Sequence, residues 1–324
     1  MTRPVLIVGA PRSGTSWVFR VLGRAQDTVR IYEPDNEMLH PQALRAKRGL
    51  GRFPVLAAGD ESRALATLWD RTLTGRVPSA SRFQRKAASV FEKAPPGERR
   101  SAVDGGPVSR HLRNAMLLAS LPDRTSAKAG VVPVAKSVHS AFCLPWLAAR
   151  WDPRVVVVLR DPRNVIASWL ELDIGDRDRR LDDNPLIRSS VIEPLGLPAS
   201  PSSEDPIRRI AWTLGLLNSA VLAVAAAHPD WVLTNHEALC VDPHAAFRAL
   251  VEEAGLTWTE ACDRYLDNAN AEGEGFTVKR VAAEQPERWR ARLSPAQAQE
   301  IADEMARFPD LRADPLNARS EGRS

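Results

Sequence analysis

The sequence predicts an α/β protein, a three-layer α/β/α sandwich around a central parallel sheet with a helical insertion. Three observations predict it. Val5 to Val8 and Val155 to Leu159 are short, unbroken apolar runs, as strands buried on both faces present. Each is followed by a glycine or proline turn and then by apolar residues at helical spacing: Val18, Val21, Leu22 and Ala25 after the first, Val165, Ile166 and Trp169 after the second. The alternation returns at Trp231 to Thr234, ahead of Phe247, Leu250, Val251 and Ala254.

Gly9 ends the first strand, and the glycine-containing loop that follows opens the first helix. Ile31-Tyr32-Glu33-Pro34-Asp35-Asn36 is rich in turn formers and reads as a loop with an acidic residue. From Leu44 to Ser120 basic, helix-compatible stretches alternate with breakers, which predicts a largely helical insertion with helices around Glu61 to Thr74 and His111 to Leu121. Val131 to Lys136 is a further strand, whose Pro133 indicates a bulge or an edge position. Asp161-Pro162 and Asp242-Pro243 each pair an N-cap with a first helical proline, and Gly255 stops the helix after the second pair. Asp173 to Pro206 is charged, proline-rich and without period, the character of a lid loop. Ser294-Pro295 opens a last helix. The prediction is one domain over residues 1–310 with a flexible tail at 311–324.

The 324 residues are enough for one large α/β domain. Hydrophobic residues make up 44% and charged residues 26%, the balance of a soluble globular chain. Lys and Arg outnumber Asp and Glu by only 44 to 40 and are dispersed, which suits one anionic ligand better than a nucleic acid. Cys143, Cys240 and Cys262 have neither disulfide nor metal-ligand spacing, so reduced, buried thiols are expected. No signal peptide or membrane span is expected, and a cytoplasmic location follows from that.

The chemistry-bearing stretch is Gly9-Ala10-Pro11-Arg12-Ser13-Gly14-Thr15-Ser16. Gly9 and Gly14 stand as in a phosphate-cradling loop, where backbone N–H groups and a helix start converge on an anion. Thr15 takes the place of that loop's lysine, so Arg12 has to supply the charge.

Pro11-Arg12-Ser13-Gly14-Thr15-Ser16 resembles the first cofactor motif of the sulfotransferases that use 3′-phosphoadenosine 5′-phosphosulfate (PAPS), and Trp17 is in register with a tryptophan that faces the adenine in many of them. Val155 to Trp169 resembles their second motif, with Arg160 at a strand end and Ser168 eight residues later in the helix. The resemblance implies a P-loop-like fold, PAPS as cosubstrate and no metal. It places the cofactor on Arg12, Ser13, Gly14, Thr15, Ser16, Trp17, Arg160 and Ser168. A fixed guanidinium fork meeting the 3′-phosphate is physically sound. Asn235 to Leu239 is similar to a structural Y-E-[DE]-L stretch, which makes Glu237 structural. The basic residues Lys279 and Arg280 are candidates for closing over the 3′-phosphate, although the family's R-K-G triplet is absent.

For the reaction, the resemblance implies Lys136 and Arg12 as cations at the transferring group. The family's K-x-H histidine would fall on Val138, with His139 one position later. Carbohydrate-directed relatives use a glutamate after the first helix, and Glu33 fits that place. Glu33 is the first candidate for the base and His139 the second. The implied activity is sulfuryl transfer to a hydroxyl, or less readily an amine, of a small molecule or sugar. The alternatives are a P-loop kinase or NTPase, disfavoured by Thr15 and by the lack of a clear Mg²⁺-binding aspartate, and a non-catalytic nucleotide-binding protein.

Overall fold

A computed structural model of the chain describes residues 3–74, 76–79, 82–103, 106–119, 124–127, 130–172, 178–202, 204–270 and 281–312. The order begins β1 (Val5–Val8), α1 (Thr15–Leu22), β2 (Thr28–Tyr32), α2 (Pro41–Ala46) and α3 (Arg63–Leu73). It continues β3 (Arg76–Ser79), α4 (Arg82–Lys93), α5 (Pro96–Val103), α6 (Arg110–Ala119) and β4 (Arg124–Ala127). Next come β5 (Val132–Ser137), α7 (Leu144–Trp151), β6 (Arg154–Leu159), α8 (Pro162–Glu171), α9 (Pro185–Ile187) and α10 (Pro206–Ala226). It ends with β7 (Val232–Asn235), α11 (His236–Val241), α12 (Pro243–Glu253), α13 (Glu260–Ala269), α14 (Pro295–Met305) and α15 (Pro309–Arg312).

The fold is α/β. Five parallel strands form one sheet in the order β2-β5-β1-β6-β7, with β1 in the middle. Val5 to Val8 and Val155 to Val158 are all buried, as their unbroken apolar runs require. Two sequence expectations change here. Ile31 and Tyr32 end an edge strand instead of lying in a loop; Thr28-Val29-Arg30-Ile31-Tyr32 is rich in β-branched and aromatic residues, and its partial exposure suits an edge. β5 lies inside the sheet, so Pro133 does not mark an edge. It stands one residue into the strand, where one missing donor costs the ladder least, and Val132 N–H just before it donates to Asp27 O at 2.7 Å.

By its contacts the chain divides into two compact units, Met1–Leu6 with Asp27–Pro153, and Ile7–Gln26 with Arg154–Ser324. In the first unit α3 buries Leu65, Trp69 and Leu73 along one face. The insertion is not purely helical: β3 and β4 pair antiparallel, Arg76 opposite Ala127 and Ser79 opposite Arg124. Between them in sequence, α4 and α6 pack through the small residues Ala87, Ala115 and Ala119.

In the second unit α10 is the central helix. It is long and apolar enough to cross a membrane, a feature that the sequence reading did not anticipate. However, 78% of its most apolar window is buried inside the protein, which is the position of a core helix. Gly215 lets Phe308 approach it; a Cβ there would stand 2.3 Å from the ring. Residues 178–202, expected as part of a lid loop, form short helical turns that bury Leu181, Ile187, Val191 and Leu197. They are tied to α10 by hydrogen bonds from Trp212 Nε1 to Pro198 O and from Arg209 Nη1 to Pro201 O, both 2.8 Å. Residues 173–177 and 203 of that stretch lie outside the described residues.

Candidate functional site

In the second unit the loop after β1 turns on two left-handed residues, Arg12 at φ 70° and Gly14 at φ 96°. Both bends are needed to fold the chain from strand into helix within one turn. Gly14 caps α1, and the Trp17 and Val18 N–H groups return to its carbonyl at 2.9 and 3.3 Å. The Thr15 and Ser16 N–H groups stand at the helix start, the positive end of its dipole. A Cβ on Gly9 would stand 2.5 Å from Val158 O, and one on Gly14 would stand 2.4 Å from His236 Cδ2. Only glycine permits such close approaches. Ser13 is buried, its hydroxyl without a hydrogen-bond partner among the described residues, and Thr15 is buried at the helix start. Ser16, half-buried, follows it.

Helix α8 holds this loop from the side. Arg12 Nε donates to Ser168 Oγ at 2.9 Å, and Trp169 Nε1 donates to Pro11 O at 2.8 Å. Arg160, at the end of β6, donates from Nη1 to Arg12 O at 3.1 Å. Among the described residues its buried Nε has no hydrogen-bond partner, and it lies 4.0 Å from Glu237 Oε1. Burial lowers the Arg160 pKa to about 10, with Glu237 opposing the fall and Arg12 and Arg292 adding to it. At neutral pH it remains a cation. Arg12, Ser13, Gly14, Thr15, Ser16, Arg160 and Ser168 are thus gathered on one loop, one strand end and one helix.

Glu237 has a structural part, as expected. Its carboxylate accepts the Asp161 N–H at 3.2 Å, and Asp161 in turn caps α8 by accepting from Arg163 N. Trp17 packs edge-on against Phe247 at 4.7 Å and lies 5.5 Å from the His236 ring. His236 itself is held neutral: burial and the charge of Arg160 push its pKa well below the usual histidine value.

The sequence reading missed Asn164 and Arg292. Asn164 Nδ2 donates to Pro286 O at 2.8 Å and Oδ1 accepts from Trp289 N at 3.1 Å, while Arg292 pairs with Glu171 at 3.0 Å. Each partner is more than a hundred residues away or in a turn without periodicity, so no local pattern announces them. Lys279 and Arg280 lie outside the described residues.

In the first unit Glu33 and Lys136 form a buried ion pair. Glu33 follows β2 in a left-handed conformation, φ 43°, and Lys136 stands near the end of β5. Burial raises the Glu33 pKa, but the Lys136 charge and hydrogen bond, with Asn36 Nδ2 donating at 2.5 Å, more than offset it. The net shift is downward, and Glu33 is a carboxylate at neutral pH. Beneath it lies a second buried charge cluster. Lys47 Nζ donates to Glu37 at 2.5 Å and to Asp35 O at 3.1 Å, and Ser137 Oγ donates to Asp35 Oδ2 at 2.6 Å.

His139 belongs to this cluster. Its Nε2 accepts from Arg52 Nε at 3.1 Å, and its ring stands edge-on to Phe53. Burial, then the charges of Lys47 and Arg52, push its pKa well below the usual value. The nitrogen that would take a proton is already engaged by a guanidinium. That geometry suits a packed, neutral histidine better than a base.

A family model described as "Sulfotransferase family" matches residues 4–183. Among solved structures, the chain is similar to the sulfotransferase domain from the curacin biosynthetic pathway, with 12% identity, 94% of this chain and 98% of that chain covered, and a TM-score of 0.49. The sulfotransferase domain of the Synechococcus PCC 7002 olefin synthase gives 15%, 94%, 96% and 0.40. Sulfotransferase STF9 from Mycobacterium avium gives 16%, 95%, 77% and 0.38. No curated protein matches the chain.

Proposed function

The chain belongs to the sulfotransferase family, and from that premise we propose that it transfers a sulfuryl group from PAPS to a hydroxyl of a small-molecule or carbohydrate acceptor. The observation that supports PAPS most is Arg160, a buried guanidinium with an unpartnered Nε, beside a helix-start loop and Ser168. The residues fit the nucleotide: among the described residues the Arg160 Nε, 4.0 Å from Glu237 Oε1, and the Ser13 hydroxyl have no hydrogen-bond partner, and phosphate oxygens are strong acceptors. When bound, PAPS supplies the sulfuryl group and a bisphosphate leaving group.

Arg12 and the N–H groups at the start of α1 bind the 5′ end, by charge and by the helix dipole. Arg160 and Ser168 take the 3′-phosphate. Glu33, kept ionised by Lys136, accepts the acceptor's proton as the acceptor oxygen bonds to sulfur. The sulfur's bond to the bridging oxygen breaks, and that oxygen leaves with the electron pair on the 5′-phosphate. Lys136, the cation paired with Glu33, is the further charge that the resemblance implies for the transferring group. Positioning and electrostatics carry the reaction, as in phosphoryl transfer. The cations present supply the charge that Mg²⁺ gives a kinase, so no metal is required.

The test is incubation with radiolabelled PAPS and a panel of sugars, phenols, lipids and peptides, with and without excess chelator. Label is expected in a sugar or phenol, undiminished by chelator. Label in none, with Mg²⁺-dependent transfer from ATP, would overturn the reading.

A further inference from the structure

Glu33-Pro34-Asp35-Asn36 is a β-turn with proline at its second position, closed by the Asn36 N–H donating to Glu33 O at 3.0 Å. The turn brings the Asn36 side chain back onto the Glu33 carboxylate, where Nδ2 donates to Oε2 at 2.5 Å. The amide cannot be reversed. Its Oδ1 accepts the Met38 N–H at 3.0 Å, a bond only the oxygen can make, so the NH₂ end faces Glu33. Asn36 O in turn accepts the Leu39 and His40 N–H groups at 3.0 and 2.9 Å, so residue 36 is fixed by backbone and side chain alike. Glu33 itself stands at φ 43°, a left-handed conformation in a residue followed by proline, which persists only where its surroundings over-determine it. Its N–H donates to Lys136 O at 3.0 Å, its Oε1 takes Lys136 Nζ, and its Oε2 takes Asn36.

We infer that Asn36 is a positioning residue for the proton transfer, aiming Glu33 Oε2 at the acceptor hydroxyl while Lys136 holds Oε1. The inference rests on the reading of Glu33 as the base. The two carboxylate oxygens are held by different chemistry. Lys136 brings a full charge to Oε1, which leaves Oε2 as the atom to take the proton. A second cation at Oε2 would weaken its basicity, whereas a neutral amide orients it and adds no charge. Burial raises the Glu33 pKa, and the Asn36 hydrogen bond joins Lys136 in reversing that rise, so the same contact that aims the carboxylate keeps it ionised. The other titratable groups that bear on Glu33 are His40, just ahead of α2, and Asp35 within the turn. The Asn36 variants below leave both in place, as they leave Lys136.

Asn36→Asp separates the two ends of the side chain. The aspartate keeps an oxygen for the Met38 N–H and replaces the donor to Glu33 with a like charge. The test is single-turnover transfer from PAPS to the panel compound that takes most label, followed across pH in wild type, Asn36→Asp, Asn36→Ala, Glu33→Gln and the Glu33→Gln/Asn36→Asp double variant. At pH 7 Asn36→Asp is expected to slow transfer about tenfold or more, as misaiming a reacting group does. The acid limb of its pH–rate profile should move to higher pH, because the lost donor and the added charge both raise the pKa of the base. Asn36→Ala should also slow transfer, with a smaller movement of the limb, since it adds no charge. In the Glu33→Gln background Asn36→Asp should cost less than about threefold, because a residue that acts through the base has nothing left to aim. Affinity for 3′-phosphoadenosine 5′-phosphate should be unchanged throughout. An unmoved limb, or equal slowing in both backgrounds, would make Asn36 a structural residue and overturn the inference while leaving Glu33 as the base. Glu33→Gln as fast as wild type, or no compound labelled, would remove the base reading and the inference with it. If Asn36→Asp does not fold, the limb of Asn36→Ala and its cost in the Glu33→Gln background decide the same point.

Discussion

His236 lies against Gly14 so closely that a Cβ on the glycine would stand 2.4 Å from the imidazole Cδ2. The same glycine sits at φ 96°, where an L side chain is strained whatever the space. The loop that caps α1 is therefore fixed from two directions, by backbone geometry and by a buried neutral ring. Gly14→Ala should cost nucleotide affinity tenfold or more. Adding His236→Ala should restore part of the loss, since it opens space and leaves the backbone strain. Calorimetry on the single and double variants checks this; no loss in Gly14→Ala would show that the loop does not hold the nucleotide.

Glu33→Gln keeps the size and the hydrogen-bonding oxygen but removes the basicity. Under single turnover it should lower the transfer rate by ~10²–10⁴-fold, the usual range for a general base, with nucleotide affinity nearly intact. His139→Ala should be milder, because His139 Nε2 already accepts from Arg52. The reverse order would move the base to His139, and no slowing in either variant would remove both.

Asp35 predicts a pH effect on stability. Burial raises its pKa to about 6, with Lys47 and the Ser137 hydrogen bond opposing and the charges of Glu33 and Glu37 assisting. The folded state thus holds a proton that the unfolded state has released, and stability from this group falls as pH rises from about 4 through about 6. Asp35→Asn should therefore raise the melting temperature at pH 7–8 relative to wild type, with the gap closing towards pH 4. Its amide oxygen can still accept from Ser137. A constant gap across that range would show that Asp35 does not titrate there.

Gly215→Ala is a test of the core and not of the site. The added methyl meets the Phe308 ring at 2.3 Å, so α10 or the 308 segment has to shift, at ~1–3 kcal/mol. A clear drop in melting temperature is expected, with nucleotide affinity unchanged at a temperature where the variant is folded.

The parts legible in the sequence were those whose signal is local. Val5 to Val8, the loop to Ser16 and Val155 to Ser168 carry strand, turn and helix within two dozen residues, and they lie where expected. β2 was overlooked because Glu33-Pro34-Asp35-Asn36 dominates its neighbourhood, although Thr28 to Tyr32 has the composition of a strand. Asn164 and Arg292 could not be read at all. Asn164 is an ordinary helix residue until Trp289, 125 positions later, folds onto it. The buried Lys47–Glu37 pair is likewise silent, because Lys47 stands in a run of arginines that reads as a solvated face.

The central claim is that Arg160 and Ser168 read a 3′-phosphate. It is tested most directly by titrating 3′-phosphoadenosine 5′-phosphate and adenosine 5′-phosphate into wild type and Arg160→Ala. The wild type should prefer the bisphosphate, and Arg160→Ala should lose ~1.5–3 kcal/mol of affinity for it while binding the monophosphate nearly as before. Ser168→Ala should lose ~1 kcal/mol by the same measure. Equal wild-type affinity for the two nucleotides would contradict the account.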